Sequence, residues 1–317
     1  AGAIEVTRTS DGNFTLRASV NGSFNSLINY GTITDNSYIS FAYFGIGYRY
    51  SSAQDMKLWV DEISFTYQPL NPNDRTTSVL EPTQQVTLAN IESTSTSVEN
   101  SVDVFRFRIA DAGSGDGLPT YVKRITIKNP DPESTSWGNL LGGITLKKEG
   151  QTVPAQNVSI SDQQLTIDID STYGTVPDGQ SVEFTFGIYL KQNNISDNIS
   201  LRFEIDNENH GFLSSLWGSG FAQTFPAKVQ SGIFTIRVDA TQALFRNISP
   251  IAIIGRPFGL EVAATDTNGN IDNDYTGQIA LSLARGNGNL SSANGLSRIA
   301  VQGIAKWDSL VYDSFGT

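Results

Sequence analysis

Apolar and polar side chains alternate along most of this chain. In "SVEFTFGIYL", Ser181–Leu190, the residues Val182, Phe184, Phe186, Ile188 and Leu190 recur at every second position. That period places them on one face of an extended strand. The same pattern predicts strands at "LTIDID", with Leu165, Ile167 and Ile169, and at "SLRFEID", with Leu201, Phe203 and Ile205. In "VDVFRFRIAD", Val104 stands out of phase with Phe105, Phe107 and Ile109. The aromatic stretch "YFGIGYRYSSAQDMKLWVDEI", 43–63, reads as two strands. Phe44, Ile46, Tyr48 and Tyr50 share one parity, whereas Met56, Leu58 and Val60 share a parity that Ile63 and Phe65 break. A one-residue slip at Asp61 and Glu62 is what a β-bulge or a strand end produces. Tyr43 and Trp59, opposite the core parity, are left as rings for a sugar or a neighbouring sheet. No segment sustains a 3.6-residue period, and turn clusters such as "AGSGDGLPT" and "NPDPEST" separate the strands. The chain is therefore expected to be all-β, a series of β-sandwiches in tandem with few or short helices.

Two shifts in composition divide it. "YQPLNPNDRTTS", 67–78, carries two prolines and no apolar alternation, the mark of an extended linker. A softer break falls near "FPAKVQSG", 225–232, after which "IFTIRV" opens a new strand. With 317 residues, two or three domains can each bury a core. The first segment is small for a whole sandwich, the chain begins abruptly in what reads as a strand, "AIEVTRT", and it stops abruptly at "LVYDSFGT". The expectation is a piece of a longer protein.

Composition narrows the chemistry. Lys and Arg total 21 against 32 Asp and Glu, a net charge of -11, which disfavours phosphate backbones and anionic lipid surfaces. Nucleic acid is not an expected partner. No apolar run approaches the roughly 18 residues of a membrane span, so no span is expected. The chain has no cysteine, which removes disulfides, thiolate metal sites and a Cys nucleophile. Its single histidine, His210, rules out a multi-histidine metal site and reads as a surface turn residue.

One run offers a cation site. "DTNGNIDND" sets Asp266, Asn268, Asn270, Asp272 and Asp274 at alternate positions around Gly269, a supply of oxygen donors on a loop of the sort calcium takes. The bidentate Glu of an EF-hand is missing, since Gly277 stands there. The competing reading is a tight turn between strands, for which Asn-Gly supplies the positive φ. Calcium is thus the one cofactor the residues raise. "DAGSGDG", 111–117, is not followed by a helical pattern and reads as a hairpin loop rather than a phosphate cradle.

Resemblances touch all three segments. "IEVTRTSDGNFTLRASVNG" with "SYISFAYFGIGYRYSSAQDMKLWVDEISF" resembles the last strands of a concanavalin A-like (laminin G-like) jelly roll, in which 7–16 and 43–65 would be the closing strands. "VFRFRIADAGSGDGLPTYVKRITI" and "GSGFAQTF" resemble a β-sandwich module of large secreted proteins of the Bacteroidota. "PFGLEVAATDTNGNIDNDYTGQIALSL" and "GIAKWDSLVYDSFGT" resemble a bacterial immunoglobulin-like repeat. The implied organisation is 1–67 as the C-terminal part of a jelly roll and 68–78 as a linker. A β-sandwich module at 79–229 follows, then an immunoglobulin-like module at 230–317, incomplete at its C-terminus. Export through a type IX secretion system is implied, with the translocon as a partner and the cell surface as destination. "DST" and "DSL" resemble the O-glycosylation signal of such proteins, which marks Ser171 and Ser309. "EIDNE", 204–208, is similar to the E-x-D-x-E motif of a jelly-roll glycosidase family, but Asn207 stands where that family has an apolar residue. The expected function is a non-catalytic adhesin or structural scaffold that meets a polysaccharide or a surface protein. The alternative is a carbohydrate-binding accessory region of a secreted hydrolase.

Overall fold

The computed structural model describes residues 2–8, 13–34, 75–113, 117–133, 135–216, 218–248 and 251–313. Among these the chain is all-β, with strands gathered into several separate sheets. Near the N-terminus Ala3–Arg8, Asn13–Ser19 and Ile28–Thr34 form an antiparallel sheet in chain order. The expected closing strand 7–16 is thus two strands, with Val6 opposite Leu16 and Thr7 opposite Thr15. The second expected strand, 43–65, lies outside the described residues, as do Tyr43 and Trp59.

The middle sandwich packs two main sheets around one core. One runs Ser78–Leu80, Val102–Ala110, Ser181–Leu190, Leu141–Lys148, Gln151–Thr152. The other runs Ala155–Ile160, Gln164–Ile169, Thr120–Lys128, Glu204–Ile205, Val229–Gln230, with two short strands also on Thr120–Lys128. Alternation decides which side chains meet between them. Val182, Phe184, Phe186, Ile188 and Leu190 are buried on one side, and Leu165, Ile167 and Ile169 face them from the opposite sheet's core. Phe184 lies opposite Phe107 and Phe186 opposite Phe105, while Gly187 lies opposite Asp103. Val104 is therefore the extra residue of a β-bulge, which explains its break in parity: the bulge turns it inward too, and it is fully buried.

This core extends beyond the boundary that composition suggests. Phe234 and Ile236 are buried in it, on the strand Phe234–Arg237, which pairs with Ser200–Leu201 and runs parallel to Ile91–Glu92. "IFTIRV" thus belongs to the middle sandwich rather than to the module after it. At the other end Ser78 pairs with Ala110, and buried Thr77 bonds the hydroxyl of Thr120 at 2.5 Å, so the end of the expected linker is sandwich.

The last module is a four-stranded sheet, Gln242–Arg246, Phe258–Thr265, Ile304–Tyr312 and Leu290–Ser292, with a two-stranded ribbon of Gln278–Ala280 and Ser297–Ile299. Its core is smaller: Val262, Ala305, Trp307 and Leu310, flanked by Phe258, Leu260 and Ile279.

Candidate functional site

The loop that follows the strand Phe258–Thr265 sits against the middle sandwich. Its turn is closed by Asp266 N donating to Asn270 O at 3.0 Å and Gly269 N donating to Asp266 O at 3.2 Å. Gly269 has φ +85°, the left-handed backbone that Asn-Gly predicts. Asp266 is buried and saturated. Its Oδ1 accepts from the N–H groups of Asn268 at 2.8 Å and Asn270 at 2.9 Å, and its Oδ2 accepts from Asn270 Nδ2 at 2.9 Å and from Ser93 Oγ at 2.6 Å. Burial alone would raise its pKa, but the bonds from Ser93 and Asn270 outweigh it and hold the carboxyl below its ordinary value.

Ser93 belongs to the middle sandwich, so that bond crosses a seam, and it is one of several. Asn270 Oδ1 accepts from Ile195 N at 3.0 Å, and its Nδ2 donates to Gln192 O at 3.0 Å. From the other side, buried Asp197 accepts from Asn273 N at 3.1 Å through Oδ2 and from Val238 N at 2.9 Å through Oδ1. Buried Asp272 accepts from Ala240 N at 2.9 Å through Oδ2. The chain between Val238 and Thr241, which leads from one module to the other, is thereby held by side chains of both.

Three carboxylates converge here. Ligand oxygens of Asp197, Asp272 and Asp274 all lie within 4.8 Å of one another. Asp197 and Asp272 are each 6% exposed, whereas Asp274 is exposed. Asp272 Oδ1 is buried and receives no N–H or hydroxyl donor. Burial pushes the Asp272 carboxyl up; the Ala240 N–H pulls the other way, and a side-chain hydrogen bond with the neighbouring Asp274 carboxyl, together with the Asp274 and Asp197 charges, adds to the rise. Arg237 lies near enough to feel Asp274, but its Nε bonds Asp239 at 2.6 Å.

Of the five residues read as a calcium loop, the structure brings Asp272 and Asp274 together and adds Asp197, which sequence reading missed. Asp266 and Asn270 spend their oxygens on N–H and hydroxyl donors. Asn268 Oδ1 has no role in the bonds that close the turn. The only signal for Asp197 was a loop-like "NNISDNIS", which does not say which strand end the loop meets.

The remaining candidates have structural surroundings. Glu204 is buried on a strand and bonds Lys228 at 2.9 Å and Gln230; Asp206 accepts from the N–H groups of Glu208 and Asn209 at 2.7 Å, closing a turn. His210, expected in a surface turn, is half-buried: Nε2 bonds Ala222 O and Nδ1 accepts from Phe212 N, both at 3.0 Å, and its ring stacks on Phe225 at 3.9 Å. Ser171 lies in the turn that Asp170 closes on Thr172, and Ser309 is half-buried in the strand Ile304–Tyr312. A shallow groove of about 440 Å³ beside the 191–199 loop is lined by Lys191, Asn193, Asn194 and Ser196 among others, and no carboxylate or imidazole lines it. Among the described residues no helix is long and apolar enough to cross a membrane.

No family model and no curated protein matches the chain. Among solved structures, a variant of the major pilin subunit BcpA of Bacillus cereus is similar at 12% identity and a TM-score of 0.23, over 67% of this chain and 52% of the pilin. BcpA itself gives 10% identity and 0.22, over 75% and 55%. The T6 backbone pilin of serotype M6 Streptococcus pyogenes gives 8% and 0.24, over 99% and 57%. The chain thus spans little more than half of each pilin, and TM-scores this low assign neither a fold family nor a function.

Proposed function

We propose that this chain is part of an exported surface scaffold in which β-sandwiches are joined firmly enough to transmit position and force, and that its role here is structural or adhesive rather than catalytic. The observation that carries the reading is the seam: Ser93, Ile195, Gln192 and Asp197 of the middle sandwich bond Asp266, Asn270 and Asn273 of the last module. Two modules on an unrestrained linker need none of these bonds, whereas a spacer does. The resemblance of its segments to modules of secreted Bacteroidota proteins supports export and surface display. The test is single-molecule energy transfer between dyes placed on the exposed Tyr173 of the middle sandwich and the exposed Ser297 of the last module. One narrow distance distribution is expected; a broad distribution like that of a flexible linker overturns the reading.

A further inference from the structure

We propose that the groove beside the 191–199 loop of the middle sandwich is a binding site for a neutral saccharide. The inference rests on the adhesive side of the scaffold reading, whose partner it names. At about 440 Å³ the groove lies within the roughly 300–1,000 Å³ of small-molecule sites. One side is the helical turn Trp137–Leu140, which carries the exposed Asn139. The other is the loop, which lends the exposed Asn193, Asn194 and Ser196.

Both sides are held in place. Lys191 N donates to Leu140 O at 2.9 Å and Lys191 Nζ to Gly138 O at 2.6 Å, which ties the loop to the turn. Ile195 is buried in the core of the middle sandwich, and its N–H donates to Asn270 Oδ1 of the last module. Asn270 Nδ2 in turn donates to Gln192 O. Gln192, Ile195 and Asp197 thus fasten the loop at the seam, while Asn193, Asn194 and Ser196 line the groove. Asn194 takes φ +63°, a left-handed backbone that Asn tolerates better than most side chains. A loop ordered beforehand costs a ligand little to fix.

The uncommitted groups select the ligand. The Thr135 hydroxyl donates to Ser200 O and the Ser136 hydroxyl to Asp162 Oδ1. Among the described residues, no hydrogen bond engages the side-chain amides of Asn139, Asn193 and Asn194 or the Ser196 hydroxyl. Each amide offers two donors and an acceptor side by side, the complement of adjacent hydroxyls that both give and take hydrogen bonds. No carboxylate lines the groove, and its one cation, Lys191, is directed to Gly138 O. The net charge of -11 opposes an anionic ligand further. Leu140 and Ile199 add apolar surface suited to the C–H face of a sugar ring. So shallow a site fits a Kd of about 1 mM for one short oligosaccharide. Repetition of the contact along a polysaccharide would supply avidity.

The experiment is NMR titration of the isotopically labelled 317-residue chain, following the asparagine side-chain amide signals, with cellohexaose, laminarihexaose and mannohexaose as probes. Saturable shifts with at least one probe, at a Kd of about 1 mM, are expected. The double variant Asn193→Ala, Asn194→Gly removes two exposed amides and keeps the left-handed backbone. It is expected to weaken binding tenfold or more while the melting temperature stays within about 2 °C. Asn157→Ala, exposed on the strand Ala155–Ile160, should leave binding unchanged. No shift with any of the probes overturns the site. Undiminished binding in the double variant overturns its location, and tighter binding of hexagalacturonate or of a neutral Gly-Ser hexapeptide overturns the ligand class. A narrow dye-distance distribution without saccharide binding leaves the scaffold reading standing and this inference overturned. Saccharide binding with a broad distribution does the reverse, so the two failures are distinguishable.

Discussion

His210 shows how much a single side chain reports in this protein. Its Nδ1 accepts from Phe212 N, which requires the neutral ring, and Phe225, Phe212 and Phe221 surround it. Burial pushes its pKa below the ordinary 6.5, against the pull of the Ala222 carbonyl and the Asp206 charge. The unfolded chain then binds a proton near 6.5 that the folded chain still refuses. The contribution to stability is therefore present above about pH 6.5 and is lost as pH falls from there towards the depressed folded value. Since this is the only histidine, its ring proton signals can be read by NMR without assignment, and a midpoint below 6.5 is expected. In parallel, the fall in melting temperature below pH 6.5 should be smaller in His210→Gln. A midpoint at or above 6.5 would contradict the burial argument.

At the scale of strands, the parity of apolar residues carries real energy. Phe184 is fully buried, stacks on Phe107 at 5.8 Å and sits at the centre of the sheet. Phe184→Ala should cost about 3–5 kcal/mol by transfer and cavity terms together, read from urea unfolding of the middle sandwich. Tyr173→Ala, at an exposed turn, should stay within about 0.5 kcal/mol. The same parity made much of this architecture legible beforehand: the strand faces in Ser181–Leu190 and Gln164–Ile169 follow directly from it. Even the out-of-phase Val104 was visible, although only the pairing of Phe186 with Phe105 and Gly187 with Asp103 identifies a bulge. What parity cannot supply is membership. "IFTIRV" alternates well, but whether Phe234 and Ile236 enter the core before or after them depends on which strands they pair with. The acidic site divides in the same way. Alternate oxygens in 266–274 were evident, whereas the split between Asp266, saturated by Ser93, and Asp272, joined by Asp197, depends on contacts 75 or more residues away in sequence.

For the whole molecule the question is whether two sandwiches unfold as one. Ser93 decides it cleanly, because its backbone N–H is bonded to Arg237 O within the middle sandwich while its hydroxyl donates only across the seam to Asp266. Ser93→Ala therefore removes a charge-assisted bond at 2.6 Å without disturbing the strand that carries it. Asp266 keeps its bonds from Asn268 and Asn270, so the turn persists, but a buried carboxylate oxygen loses one of its donors. A loss of about 1.5–3 kcal/mol in coupling follows. Differential scanning calorimetry should show the last module melting together with, or close to, the middle sandwich in the unmodified chain. In Ser93→Ala its transition should move lower and separate while that of the middle sandwich stays in place. If instead the middle sandwich loses stability and the last module does not, Ser93 serves only its own sheet. The small core of the last module, with Val262, Ala305, Trp307 and Leu310 as its buried members, gives the reason to expect the first outcome. A module with that little buried apolar surface draws a larger share of its stability from its neighbour than the neighbour draws from it.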